Sequence, residues 1–216
     1  MARINHRQRI HDTIRGRILR GEVGSDDRLV DTAIAAEMGV SRMPVREALM
    51  QLVSEGYLES TTRGFALPRL GPERIAEIFL LRRLLEPHAA ASAAQVLADD
   101  QLEDLQGAVT DSAATLESGD FEAFYRASET FRNIWVMAVP NTELRAAILR
   151  YSGQVQAVRL ATMRDPGAHR TIVAGQRDLL AAFSRRDALG AADRILRFVI
   201  EGEASFLSQN RDIDRK

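Results

Sequence analysis

Cysteine is absent from the 216 residues, which excludes disulfides and thiolate metal sites and is compatible with a cytoplasmic setting. No apolar run approaches the ~18 residues of a membrane span. The opening MARINHRQRI lacks the apolar core of a secretory signal. Lysine is nearly missing as well: Lys216 is the sole one among 29 basic residues. That arginine excess reads first as genomic base composition and only then as chemistry. Charge of one sign is not in excess either, because 30 acidic residues bring the formal net charge to −1. Nucleic-acid binding must therefore rest on a local cluster and not on a global basic field. There is no Ser/His/Asp arrangement with a recognisable motif, no phosphate loop and no pair of catalytic carboxylates, so the chain does not read as an enzyme. No internal repeat or low-complexity segment is present, and the length suits one or two domains.

What is present centres on Gly39 to Leu58, GVSRMPVREALMQLVSEGYL. Ser41 is a natural N-cap, and Pro44 falls in the first turn, where its missing N–H is not needed. Val45, Ala48, Leu49, Leu52 and Val53 recur at helical spacing and define one apolar face. Gly56 supplies a left-handed stop after Glu55. Arg42 and Arg46, one turn apart, project from the exposed starting end. A helix led by a hydroxyl and two arginines suits the DNA major groove, where arginine pairs two-pronged with guanine and the helix start favours a phosphate.

The flanking segments extend this reading. Leu29, Ile34, Ala35 and Met38 predict a short helix ending at Gly39, hence a helix-turn-helix. Tyr57 to Thr61 and Phe65 to Leu67 predict two brief strands around Thr62-Arg63-Gly64, a wing whose tip offers Arg63 to a minor groove or a phosphate. The bland alternative is a helical hairpin with solvated arginines and an incidental loop. Ile4 to Arg20 predicts a first helix with Ile10, Ile14, Ile18 and Leu19 on one stripe, its arginines mostly solvated, ending at Gly21. PRLGP, Pro68 to Pro72, is a stiff linker.

Beyond it the pattern is all-helical. Six helices are expected: Pro72 to Leu97 with a kink at Pro87, one capped by Asp99 or Asp100 with Leu102, Leu105, Val109 and Leu116 inward, then Phe121 to Val139, Leu144 to Met163, about His169 to Ser184, and one capped by Asp187 running to about Leu207. The fold class is therefore mainly α: an N-terminal winged helix-turn-helix domain (1–68), a linker (69–72) and an antiparallel helical bundle (73–216).

From about Ile14 to Leu67 the chain resembles the winged-helix domain of the GntR family of bacterial transcription regulators, on RLVDTAIAAEMGVSRMPVREALMQLVSEGYLES and the glycine of TRGFAL. The resemblance implies DNA contacts from Ser41, Arg42, Pro44, Arg46, Arg63 and Gly64. Thr32 stands where many members carry an arginine, and Ser25-Asp26 replace the usual Pro-Gly. From Pro72 to about Leu207, LRRLLEP, SGDFEAF, FRNIWVMAVPNTEL and FSRRDALGAADRIL resemble the FCD-type effector domain of the FadR-like branch. That implies a homodimer on an inverted-repeat operator in double-stranded DNA, often as a repressor, with a bundle cavity for a small organic acid and no membrane association.

Many members of that branch hold a divalent metal with an aspartate and three histidines. The matching positions here are Ser128, Arg132, Gln176 and Phe198, none a usual ligand, so no metal cofactor is expected. His88 and His169 read as ordinary surface or packed residues. A guanidinium can attract a carboxylate where a metal otherwise does, so Arg132 and Gln176 become effector-binding candidates, with Arg82 and Arg159 as further anion contacts. Alternatives stay open: Arg82 ion-paired with Glu86, Arg132 turned to solvent, Phe198 plugging the cavity so that the bundle serves dimerisation only, or an acyl thioester-like ligand.

Overall fold

A computed structural model describes residues 6–24, 26–68, 71–151, 155, 159, 163 and 166–213. Contacts divide the chain into two compact units, with the first changeover between Gly71 and Pro72. Among the described residues no helix is long and apolar enough to cross a membrane.

The first unit holds α1 (His6–Leu19), α2 (Asp31–Met38), α3 (Arg42–Ser54), β1 (Glu59–Thr61) and β2 (Gly64–Ala66). Its core is the face that the sequence predicts: Ile10, Ile14, Ile18 and Leu19 of α1 are buried, as are Val45, Ala48, Leu49 and Leu52 of α3, and the two helices pack together. Each such aliphatic side chain stabilises by about 1.5–3 kcal/mol when fully buried. Ile4 and Arg3 lie outside the described residues. Gly39, at φ 63°, ends α2 with its N–H on the carbonyls of Ala35 and Ala36, and this left-handed turn aims α3.

Two local expectations need correction. Ser41 occupies the N-cap position of α3 in extended backbone, but its side chain makes no capping hydrogen bond. Leu29 is not helical: it exchanges backbone hydrogen bonds with Phe65 (2.7 and 2.9 Å) and adds a one-residue bridge to the wing. The wing itself is antiparallel, pairing Glu59 with Ala66, Ser60 with Phe65 and Thr61 with Gly64. Gly64 has φ 116°, and a Cβ there would lie 2.6 Å from the Leu29 carbonyl oxygen. Gly64→Ala is therefore expected to destabilise the first unit by about 2 kcal/mol or more, read by denaturant unfolding; an unchanged midpoint would remove the close-approach argument.

The second unit contains, among the described residues, α4 (Pro72–Val96), α5 (Asp99–Ser118), α6 (Phe121–Met137), α7 (Thr142–Arg150), α8 (Pro166–Ser184) and α9 (Ala188–Ile213). α4 packs along α9, and α5 against α6 and α8. α4 runs on through Pro87. The missing N–H costs one bond, while Ala89, Ala90, Ala93 and Ala94 just beyond it are fully buried and hold the turn in place. The cap of α5 is Ala98, not an aspartate: the Gln101 carboxamide reaches back to the Ala98 N–H at 3.0 Å. Leu116 is 37% exposed in the last turn of α5 and is not a core residue. Asp120 caps α6 through the Ala123 N–H, and Asn141 caps α7 through the N–H groups of Glu143 and Leu144. α8 starts at Pro166 and α9 runs to Ile213, both longer than expected. The expected helix Leu144 to Met163 begins at Thr142; past Tyr151 only Val155, Arg159 and Met163 are described.

Candidate functional site

α3 offers its first turn to solvent because its apolar face is turned to α1. Ser41, Arg42 and Arg46 are exposed, Pro44 is half-buried as the third helical residue, and Thr32 is exposed on α2. Arg63 is exposed in the turn between the wing strands, and Gly64 beside it is half-buried. The two α3 arginines share a partner that periodicity could not supply. Asp31, in the first turn of α2, accepts from Arg42 Nε at 2.9 Å and from Arg46 Nη1 at 3.3 Å, both on Oδ2. The Asp31 side chain is 8% exposed while those of the arginines are 59% and 58% exposed. Burial opposes its charge, but the hydrogen bond and charge of Arg42, then the hydrogen bond from Arg46, hold the carboxyl below the usual range.

All six effector candidates meet in the second unit. Arg82, Ser128, Arg132, Arg159, Gln176 and Phe198 line one cavity of about 330 Å³, with Phe79, Phe131, Trp135 and Leu179 as apolar wall. Arg132 is turned inward, its side chain 13% exposed. Glu86, from the LRRLLEP stretch of α4, joins the arginines. Arg132 makes a two-pronged pair with it (Nη2–Oε1 2.9 Å, Nη1–Oε2 3.1 Å), and Arg82 Nε donates to Oε1 at 2.9 Å. The i+4 ion pair of Arg82 with Glu86 and its place in the cavity are thus both true. Burial of Glu86 opposes ionisation, yet the charges of Arg132 and Arg82 bring its carboxyl down to about 2. Burial lowers the affinity of Arg132 for its proton, against the attraction of Glu86. Arg132 also lies over the Trp135 ring, and Arg82 over that of Phe79. Arg159 donates to the Ser128 carbonyl at 3.2 Å and lies over the Tyr125 ring.

Gln176 is buried, with its amide nitrogen on Ser128 Oγ at 3.2 Å and its Oε1 without a partner. Phe198 packs under the Arg194 guanidinium, 4.3 Å from the ring centre, and forms part of the wall. His169 sits against the Phe124 ring, and His88 is exposed. A hydroxyl, a guanidinium already bound to a carboxylate, a carboxamide and a phenyl ring do not fit a divalent metal. Among the described residues no group of three or more His, Asp or Glu side chains is arranged to hold a metal ion.

Comparison with known proteins bears on both units. Residues 6–65 match the pattern of bacterial regulatory proteins of the gntR family, and residues 77–200 match the FCD domain. The HTH-type transcriptional regulator McbR of Escherichia coli is 29% identical over 61% of this chain, a match spanning 60% of its own length. The Nta operon transcriptional regulator of Aminobacter aminovorans is 27% identical over 88% of this chain and 94% of its own. The gluconate operon transcriptional repressor of Bacillus subtilis is 27% identical over 72% of this chain and 64% of its own. Among solved structures, E. coli McbR/YncC matches in fold with a TM-score of 0.73 at 24% identity, covering 95% of this chain and 98% of that one. A GntR regulator from Rhodococcus sp. RHA1 gives 0.74 at 18% identity, over 94% and 97%. With its wing, its helix-turn-helix and its helical unit all accounted for, the chain belongs to the gntR family of bacterial regulatory proteins, as a DNA-binding transcriptional regulator of the GntR/FCD type and not an enzyme.

Proposed function

We propose that the protein works in the cytoplasm as a homodimer whose paired winged helices bind an inverted-repeat operator, and whose helical unit senses a small carboxylate without a metal. Arg42 and Arg46 supply base choice; Ser41, Thr32, Arg63 and the Gly64 backbone lie where phosphate or minor-groove contacts suit them. The observation that carries the sensing half is the charge inside the cavity. Three guanidinium groups, of Arg82, Arg132 and Arg159, line it together with Glu86 and Glu201, and Glu201 is engaged by Arg194 at 3.2 Å. Guanidinium groups on the wall suit an anion, which they grip by paired hydrogen bonds. At about 330 Å³ the space is at the small end for a ligand site, which favours a compact acid over an acyl thioester. The orphan Gln176 Oε1 asks for a donor, so a hydroxyl or amino group beside the carboxylate completes the fit.

Thermal melting of the full chain against small hydroxy-, keto- and amino-carboxylates tests this. A binding acid present at about 100 times its Kd stabilises by about 2.7 kcal/mol, and Arg132→Gln should abolish the shift. A panel in which no acid raises the midpoint, or a shift that survives Arg132→Gln, would leave the bundle as a dimerisation unit.

A further inference from the structure

We infer that Asp31 is a positioning residue for DNA recognition: its buried carboxylate presents Arg42 and Arg46 as a matched pair, and its charge weakens binding to duplexes that do not offer the right bases. The inference rests on the reading that α3 meets DNA, and adds to it a residue from a different helix.

The geometry is specific. Both arginines reach the same oxygen, Oδ2, but with different nitrogens: Arg42 through Nε and Arg46 through Nη1. A guanidinium has five N–H donors in a rigid fork. Arg42 therefore keeps its terminal Nη1/Nη2 edge for a partner, and Arg46 keeps its Nε/Nη2 edge. Either edge can grip the O6 and N7 of a guanine without giving up Asp31. An arginine side chain free in solvent loses rotamer freedom when it docks. One already held by an anchored carboxylate loses less. Asp31 is a suitable anchor because it is itself fixed, 6% exposed, in the first turn of α2, where the helix start favours a negative charge.

The same charge has an opposite effect on non-specific binding. Binding to arbitrary duplexes follows the cations available to phosphates. Asp31 neutralises part of the charge of two such cations on the face that would meet DNA. Only a site that rewards the preset pair with base contacts recovers that loss. Specificity is the difference between two affinities, and a local repulsive element raises it.

The test uses the full chain and two duplexes: the one that the wild-type protein enriches from random fragments, and a scrambled duplex of the same length and composition. For D31N, which keeps shape and removes charge, the ratio of the two affinities should fall about ten- to thirty-fold. Affinity for the scrambled duplex should stay level or rise, while the melting midpoint falls by no more than a few degrees. D31E, with the charge one methylene further out, should restore the ratio to within about threefold. A D31N protein that discriminates as the wild type does overturns the inference, as does one whose two affinities fall together with its melting midpoint. If D31N does not fold, D31E decides: a ratio near that of the wild type supports the role, and a lost ratio overturns it. Should the wild-type protein itself enrich no duplex, the failure belongs to the proposed function and not to Asp31.

Discussion

Replacing Arg46 with alanine is expected to lower affinity for the selected operator by roughly 30- to 20,000-fold. Each good two-pronged arginine–guanine contact discriminates by about 1–3 kcal/mol. A homodimer on an inverted repeat loses it twice, which is about 2–6 kcal/mol in all. Arg46 is a clean target because its head is exposed and Asp31 is its one ion-pair partner among the described residues. The α3 face that supports the fold, Val45, Ala48, Leu49 and Leu52, is untouched. Weak binding at low salt should persist through the remaining phosphate contacts, with a shallower salt slope. Footprinting over the operator measures the effect. A footprint as strong as that of the wild type would show that Arg46 does not read bases.

The second large effect is expected at Glu86. Glu86→Ala leaves two inward-facing guanidinium groups, of Arg82 and Arg132, without their shared carboxylate. Breaking one partner of a buried ion pair costs about 3–5 kcal/mol. For a chain of this size that lowers the melting midpoint by roughly 6–20 °C. External formate or acetate should restore part of the loss, because it can occupy the same fork; chloride at equal ionic strength should not. The pH dependence has a definite sign. The folded carboxyl is depressed to about 2 against an ordinary 4.5. Its contribution, about 3 kcal/mol, is therefore complete above pH ~4.5 and disappears as pH falls toward ~2. Glu86→Gln should flatten the melting midpoint across that window. A Glu86→Ala protein within about 2 °C of the wild type, or a profile that Glu86→Gln does not flatten, would show that the cavity arginines are held by something else.

What could be read from the amino-acid order was local in origin. The α3 face, the Gly39 stop and the Asp120 and Asn141 caps each depend on residues within one or two turns. Leu29 was misread because its bridge to Phe65 is made 36 residues away, and helix periodicity has no signal for such a contact. The arginine lattice divides in the same way. Arg82 and Glu86 are one turn apart, so their pairing is visible in LRRLLEP. Arg132 is 46 residues from Glu86, and only the packed bundle joins them. Asp31 stands 11 and 15 residues from its two arginines, across the Gly39 turn. The sign available in the sequence was an acid opening α2 just ahead of a helix that opens with arginines. Gathering Ser128, Arg132, Gln176 and Phe198 in one cavity was foreseeable from the resemblance alone, since four positions that hold one ion elsewhere must converge.

The central claim is that the exposed start of α3 reads duplex DNA. Selecting random genomic fragments with the purified full chain at physiological salt, in parallel with an Arg42→Ala, Arg46→Ala double variant, tests it most directly. The account predicts that the wild type enriches fragments sharing one inverted repeat with guanines in both halves, and that the double variant enriches none. Enrichment of the same fragments by both proteins, or of no common sequence by the wild type, would contradict it.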